Sequence, residues 1–166
     1  DKGQLWSTEN PSFDGRHYQR SGSGFEPKPA QKPHPPIWIG GHTGPAIRRA
    51  AKYGDGWMPI GLRPPAILDP EELGGKIARL RKLTVEAGRS EDAVDLTFST
   101  SVVFNDSDIS SREMMQGRPE QIAADIRQYQ DLGVSNFIIG LQGNTVPELQ
   151  ENMERFSREV MTLIPY

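Results

Sequence analysis

The sequence predicts an α/β fold in which each strand of a parallel sheet is followed by a helix, four such units forming half of an eightfold (β/α)8 TIM barrel. Three observations carry this. Short apolar runs closed by turn residues recur at 37–41, 56–60, 95–104 and 135–141, each of strand length. A segment with apolar residues at helical spacing follows each of them. Strands separated by helices pair most economically in parallel, and right-handed crossovers then keep the sheet turning in one sense. A complete barrel takes about 250 residues, so a chain of 166 supplies roughly half the circumference.

The first 35 residues show no helical or strand period and are rich in Gly, Ser, Pro and charge, so 1–35 reads as an irregular insertion or lead-in, and 36–166 as the barrel portion. Trp6, Phe13, Tyr18 and Phe25 punctuate the lead-in and serve as candidate anchors. The chain opens at Asp1 rather than at methionine, which raises the expectation of a partial chain. Strand one, ending Trp38-Ile39-Gly40-Gly41, turns directly into a helix over 45–53 that has Ala46, Ile47, Ala50 and Ala51 on one face and stops at Gly54. After the second strand, Asp69-Pro70-Glu71-Glu72 is a capped helix start, with Leu73, Ile77, Leu80 and Leu83 or Thr84 as the inner stripe. The third helix follows Gly117-Arg118-Pro119-Glu120, has Ile122, Ile126 and Tyr129 on one face, and ends at Gly133. The fourth begins at a capping box, Thr145 to Glu148, and marks one face with Leu149, Met153, Phe156, Val160 and Leu163 until Pro165. Arg and Lys residues on these helices read as solvated faces.

Composition excludes several classes of function. The formal net charge is -3 and no basic cluster occurs, so the footprint of a nucleic-acid binder is missing and the expected partner is a small molecule. No apolar run approaches the roughly 20 residues of a membrane span and no leader-like stretch opens the chain, which leads to the expectation of a soluble, cytoplasmic protein. With no cysteine there is no disulfide, thiolate ligand or cysteine nucleophile, and His17, His34 and His42 lack metal-ligand spacing. The raw edges of a half barrel lead us to expect a homo-oligomer.

The chemistry concentrates at the end of strand one. Gly40 and Gly41 remove side chains where backbone must approach a ligand, and the following helix turns its free N–H groups and positive dipole end toward them. With the Thr43 hydroxyl as a further donor, the turn suits a phosphomonoester. The alternative is a plain tight turn in which Thr43 or Gly44 only caps the helix. His42 is either a donor to the same anion or an exposed loop residue, and Trp57 and Met58, at the end of strand two, either line a ring pocket or pack the interior. Asp55 reads as a turn brace, and Glu120 and Glu148 as helix-start residues rather than acid catalysts.

The motifs Phe13-Asp14-Gly15-Arg16-His17-Tyr18, Pro27-Lys28-Pro29, Pro35-Pro36-Ile37-Trp38-Ile39-Gly40-Gly41 and Ala50-Ala51-Lys52-Tyr53-Gly54-Asp55-Gly56-Trp57-Met58-Pro59 together resemble the bacterial luciferase-like monooxygenase family. The likeness continues through Glu86-Ala87-Gly88-Arg89 and Tyr129-Gln130-Asp131-Leu132-Gly133-Val134. It implies an oxidoreductase using FMN or coenzyme F420 on an eightfold barrel, with these four units as its C-terminal half. The Gly40 to Pro59 block inclines toward the deazaflavin branch. The resemblance assigns the cofactor phosphate to Gly41, His42, Thr43 and the Ala46 amide and carries over no catalytic residue; Gly40 and Gly44 of the same turn, and Trp57 and Met58 at the end of strand two, complete the candidate cofactor-binding set on the reading of the residues alone. Two rivals remain: a noncatalytic half-barrel module that pairs with another copy, and a sugar-phosphate barrel enzyme, for which no acid–base pair is visible.

Overall fold

A computed structural model of the chain describes residues 2–22, 24, 26–106 and 112–164. It divides into two units, Asp1–Ile37 and Trp38–Tyr166. The first unit contains a short helix, α1 (Lys2–Ser7), and a hairpin of β1 (Phe13–Asp14) and β2 (Gln19–Arg20). The hairpin is antiparallel, with Phe13 opposite Arg20, and is closed by the Gly15 N–H on the Tyr18 carbonyl at 2.9 Å. Strands of two residues are too short to show a period, so the segment reads as irregular from sequence although it carries local structure. Lys28 Nζ donates to the Leu5 and Thr8 carbonyls at 3.2 and 2.8 Å, tying down the C-terminal end of α1. Of the candidate anchors, Trp6 is half-buried and tilts against His34, whereas Phe13 and Tyr18 are exposed, the short hairpin having no inner face to receive them. Phe25 lies outside the described residues.

The second unit is the parallel sheet. It comprises β3 (Trp38–Gly40), α2 (Gly44–Tyr53), β4 (Gly56–Met58), α3 (Pro70–Glu86), β5 (Asp95–Phe104), β6 (Gln116–Gly117), α4 (Pro119–Asp131), β7 (Asn136–Leu141) and α5 (Val146–Arg155). The parallel pairings run β3-β4-β5-β7, with Ile39 beside Trp57, Trp57 beside Leu96, and Phe98 beside Phe137. β4 is shorter than the sequence predicts: it ends at Met58, and Ile60 rejoins β5 through an isolated bridge to Ser99. β6 has no counterpart in the sequence reading, because two residues ending in glycine give no strand signal. It pairs with Val103 and Phe104, and the odd-numbered amides of β5 that face β4 lower down (Asp95, Ser99) face Met115 and Gly117 higher up, so β6 continues the β4 flank of β5.

Side chains alternate across β5. Leu96, Phe98, Thr100 and Val102 are buried on the helix side, where the Phe98 ring stacks on Tyr129 of α4 with centroids 4.4 Å apart. Thr97, Ser99, Ser101 and Val103 occupy the inner face. The helices bury the predicted stripes: Ala46, Ile47, Ala50 and Ala51 from α2, and Leu73, Ile77, Leu80 and Thr84 from α3. Thr84 rather than Leu83 completes the α3 stripe, because its hydroxyl donates to the Leu80 carbonyl and leaves no polar group unmet. The cap of α3 is reciprocal, with Asp69 accepting from the Glu72 N–H and Glu72 from the Leu68 N–H, both at 2.8 Å.

The fourth helix departs from expectation. It continues from α5 as a wide π turn (Phe156–Val160) and a 3-10 turn (Met161–Leu163), and of its predicted stripe only Val160 is fully buried. β7 pairs on one side only, with β5, so α5 packs on one flank and leaves Leu149, Met153 and Leu163 exposed. Pro165, its predicted stop, lies outside the described residues.

The stack of Phe98 on Tyr129 joins sheet to helix layer at a point with no solvent access. Phe98→Ala is expected to lower unfolding stability by about 3–5 kcal/mol, read as a drop in the urea midpoint at constant slope. A loss under about 1 kcal/mol would mean the sheet and α4 are not coupled there.

Candidate functional site

Parallel pairing brings the C-terminal ends of β3, β4, β5 and β7 to one edge, and the residues that follow β3 form the most ligand-like turn on it. Gly40 closes the strand. Gly41 has φ +95, a left-handed conformation that favours glycine, and a Cβ there would stand 3.4 Å from that of Ala46. Both backbone groups of Gly41 are held by β4: its N–H donates to the Met58 carbonyl at 3.3 Å, and its carbonyl accepts from Trp57 Nε1 at 2.7 Å. Thr43 is the N-cap of α2, yet its side chain makes no cap bond. The first intrahelical bond runs from the Ile47 N–H to the Thr43 carbonyl at 3.0 Å, and Pro45 has no N–H. Among the described residues, the amides of Gly44 and Ala46 therefore find no acceptor in the first turn.

Two arginines complete the turn. A Cβ placed on Gly44 would lie 3.6 Å from Arg48 Nη1 and 3.5 and 3.8 Å from the two terminal nitrogens of Arg79. Arg48 comes from α2 itself, one turn on, and Arg79 reaches across from α3. Neither forms an ion pair with a carboxylate among the described residues. Two cations beside the positive end of a helix repel both each other and the macrodipole, a clustering that an anion relieves.

The predicted site residues thus fall into two groups. Gly40, Gly41, His42, Thr43, Gly44 and Ala46 share the turn; His42 is half-buried and Thr43 exposed, so both are accessible, while the Ala46 side chain is buried. Trp57 is 1% exposed and points to the helix side, so it braces the turn from behind through its indole N–H and presents no ring face to solvent. Met58, half-buried beside Gly40, points to the inner face. Among residues singled out on other grounds, the Asp55 carbonyl accepts from the Asp95 N–H at 2.9 Å, and Glu148 accepts from the Asn144 N–H at 2.7 Å. Sequence reasoning missed the arginine pair. The spacing of Gly44 to Arg48 carries a signal for one of them, but Arg79 arrives only through the packing of α3 on α2.

Two cavities, of about 150 and 590 Å³, lie at the opposite edge, near Leu96, Gly133 and Ser135 and near Val134, Phe137 and Ile164 respectively. Barrel chemistry collects at the C-terminal edge, so volume alone does not make them the site. Among the described residues no group of His, Asp or Glu is arranged to hold a metal ion, and no helix is long and apolar enough to cross a membrane.

This sheet is that of a parallel barrel, with a turn at its C-terminal edge that gathers backbone donors and cations. The chain belongs to the luciferase-like monooxygenase family, whose model matches residues 3–116. An uncharacterized protein of Mycobacterium tuberculosis is 30% identical over 160 residues, 92% of this chain and 46% of that protein. The FMNH(2)-dependent dimethylsulfone monooxygenase of Pseudomonas putida is 25% identical over 111 residues, 67% of this chain and 28% of that protein. Among solved structures, an F420-dependent secondary alcohol dehydrogenase in complex with an F420-acetone adduct superposes with a TM-score of 0.76 at 14% identity, covering 98% of this chain and 58% of that one. The fold is therefore that of the family barrel, and the chain spans about half the length of the first curated relatives it matches.

An anion at the α2 N-terminus offsets the charge of Arg48 and Arg79. Inorganic phosphate is expected to raise the melting temperature of the wild-type protein and to lose most of that effect in an Arg48→Ala, Arg79→Ala double variant. An equal rise in both proteins would remove the arginines from the site.

Proposed function

We propose that the turn from Gly40 to Ala46 holds the phosphate of a flavin-type cofactor, FMN or coenzyme F420, and that the complete protein is an oxidoreductase or monooxygenase acting on a small organic molecule. The observation that carries this reading is the convergence of Arg48, Arg79 and the free amides of Gly44 and Ala46 on a glycine turn at the C-terminal edge. Family membership supplies the cofactor class. The residues present fit such a group: the Thr43 hydroxyl and the two amides donate to phosphate oxygens, the guanidiniums neutralise their charge, and Gly41 keeps the approach clear. His42 adds a donor from the same turn, and Met58 offers an apolar side chain on the inner face. When bound, the cofactor supplies hydride transfer or, as reduced flavin, oxygen activation. The protein's share is to anchor the tail, orient the ring and exclude water.

The rest of the ring pocket lies on strands beyond these four. Among the described residues, β3 and β7 each pair on one side only, and the apolar side chains of Trp38, Ile60 and Ile138 are 39%, 50% and 47% exposed. We therefore propose that further strands close the barrel, as in relatives of about twice the length, and that 38–166 forms the C-terminal half, with 1–37 as the lead-in. The isolated 166-residue chain is expected to self-associate through its open edges, so its sedimentation coefficient should rise with concentration. A concentration-independent monomer would count against an open half barrel.

Titration of the full-length protein with FMN, F420 and riboflavin, which lacks the phosphate, tests the cofactor reading. Gly41→Val combined with Thr43→Ala is expected to weaken binding of the phosphorylated cofactor by at least about tenfold, a change of about 1.4 kcal/mol, and to leave riboflavin binding nearly unchanged. Equal losses for both ligands would show that the turn does not hold the phosphate.

A further inference from the structure

Outside the cofactor turn, the most heavily constrained part of the molecule is a pair of short segments, 62–68 after β4 and 112–117 after β5. Among the described residues, the only non-glycine residues with positive φ lie here: Leu62 at +54, Leu68 at +51 and Met115 at +60. A branched or long side chain in this region is strained and persists only where its surroundings hold it. Leu68 and Met115 are both fully buried.

One face of α4 supplies the hold. Tyr129, itself without solvent access, donates its hydroxyl to the Leu68 carbonyl at 3.1 Å and lies 3.8 Å from Met114 Sδ. One turn earlier, buried Asp125 accepts the Met115 N–H at 2.8 Å and receives a two-point contact from Arg112 at 2.6 and 2.8 Å. Arg112 Nη1 also reaches the Gln116 carbonyl at 3.3 Å. The first segment is folded back on itself by the Leu62 N–H on the Ile67 carbonyl and by paired bonds between Arg63 and Ala66. Burial and the nearby Asp69 and Asp125 carboxylates raise the Tyr129 phenol pKa above its usual range, so the hydroxyl remains a donor.

Both segments emerge at the C-terminal edge that carries the cofactor turn. Met58, whose carbonyl accepts from Gly41, leads through Pro59 and Ile60 into 62–68, and β6 at the end of 112–117 continues the β4 flank of β5. We propose that Asp125 and Tyr129 are positioning residues: from α4 they lock Leu68 and Met115 in left-handed conformations and so fix the two walls beside the bound cofactor. This rests on the site assignment above. The polar groups of α4 thus act at a distance, through backbone they hold rather than through contact with a ligand.

The test uses full-length protein, hydrogen exchange without ligand, and titration with FMN and F420. Asp125→Asn leaves the Arg112 guanidinium without its counter-charge and endangers folding, so Tyr129→Phe and Arg112→Lys carry the experiment. Lysine keeps the charge but cannot make the two-point contact. Tyr129→Phe is expected to speed exchange across 62–68 about fivefold to tenfold, and Arg112→Lys to do the same at the Met115 amide, while the interior of α3 stays as in wild type. Affinity for whichever cofactor binds should fall by a similar factor. Unchanged exchange in both segments overturns the proposal, as does faster exchange with wild-type affinity, which reduces the contacts to a structural role. Failure of the wild-type protein to bind either cofactor would instead sink the site assignment, a result distinguishable from unchanged exchange because the exchange arm contains no ligand.

Discussion

The parallel pairing of β3 with β4 is the constraint from which the site follows. Gly41 leaves the strand in a left-handed conformation, a position in which buried N–H and carbonyl groups are easily orphaned. Both are met by β4, through the Met58 carbonyl and the Trp57 indole. One bond comes from strand backbone and the other from a side chain on the helix side, so backbone and side chain of β4 both hold Gly41. Gly41 is thereby satisfied without any ligand. Among the described residues the donors at Thr43, Gly44 and Ala46 have no acceptor, and in the proposed function they are held in place for a ligand before it binds. Trp57 thus matters as a brace for the geometry of the turn.

Electrostatics and backbone strain then point to the same edge for independent reasons. The arginine pair concentrates positive charge where the α2 dipole is already positive, which disfavours the folded state unless an anion is present. The left-handed leucines and methionine concentrate conformational cost in the segments that follow β4 and β5, and each such residue costs on the order of 1–3 kcal/mol. The buried contacts of α4 offset that cost: two hydrogen bonds from Arg112 and one from Met115 converge on Asp125, and one from Tyr129 ends on Leu68. The opposite edge of the sheet has no non-glycine residue of positive φ among the described residues.

The layout of the second unit was largely legible in the sequence, because its elements are long enough for a period to register. β5 has the predicted bounds, and α2 and α3 bury the predicted faces. The glycine doublet could be read as a turn from strand to helix, but the local pattern did not separate an anion-binding turn from one that only caps the helix. What escaped was whatever depends on residues far apart in the chain. Arg79 looks like one more solvated arginine until α3 is laid against α2. Asp125 did leave a mark, an acid within the Ile122, Ile126 and Tyr129 stripe, but its meaning depends on Arg112 and Met115 arriving from the segment before α4. The outward stripe of α5 misled for the opposite reason: its period is sound, but β7 is paired on one side only, so there is less to cover it.

The inner face of the sheet gives the site a direction. Complete barrels fill their interiors with layers of bulky branched side chains, and the lowest layer here is filled, since Trp38 lies across Gly56, where a Cβ would come within 2.9 Å of its ring. Above it the inward positions are mixed in size, with Met58, Ile60 and Ile138 among them. Gly40 stands beside Met58, and toward the C-terminal edge come Ser99 and Ser101 of β5 and Gly140 of β7, whose Cβ would meet Ser101 Oγ at 3.2 Å. The smallest inward positions, Ser101 and Gly140, are paired neighbours toward the C-terminal edge. That is also the edge on which the Gly40 to Ala46 turn offers its donors, so the small inward residues and the positive charge lie at the same end of the sheet, as the proposed cofactor with its planar head and anionic tail requires.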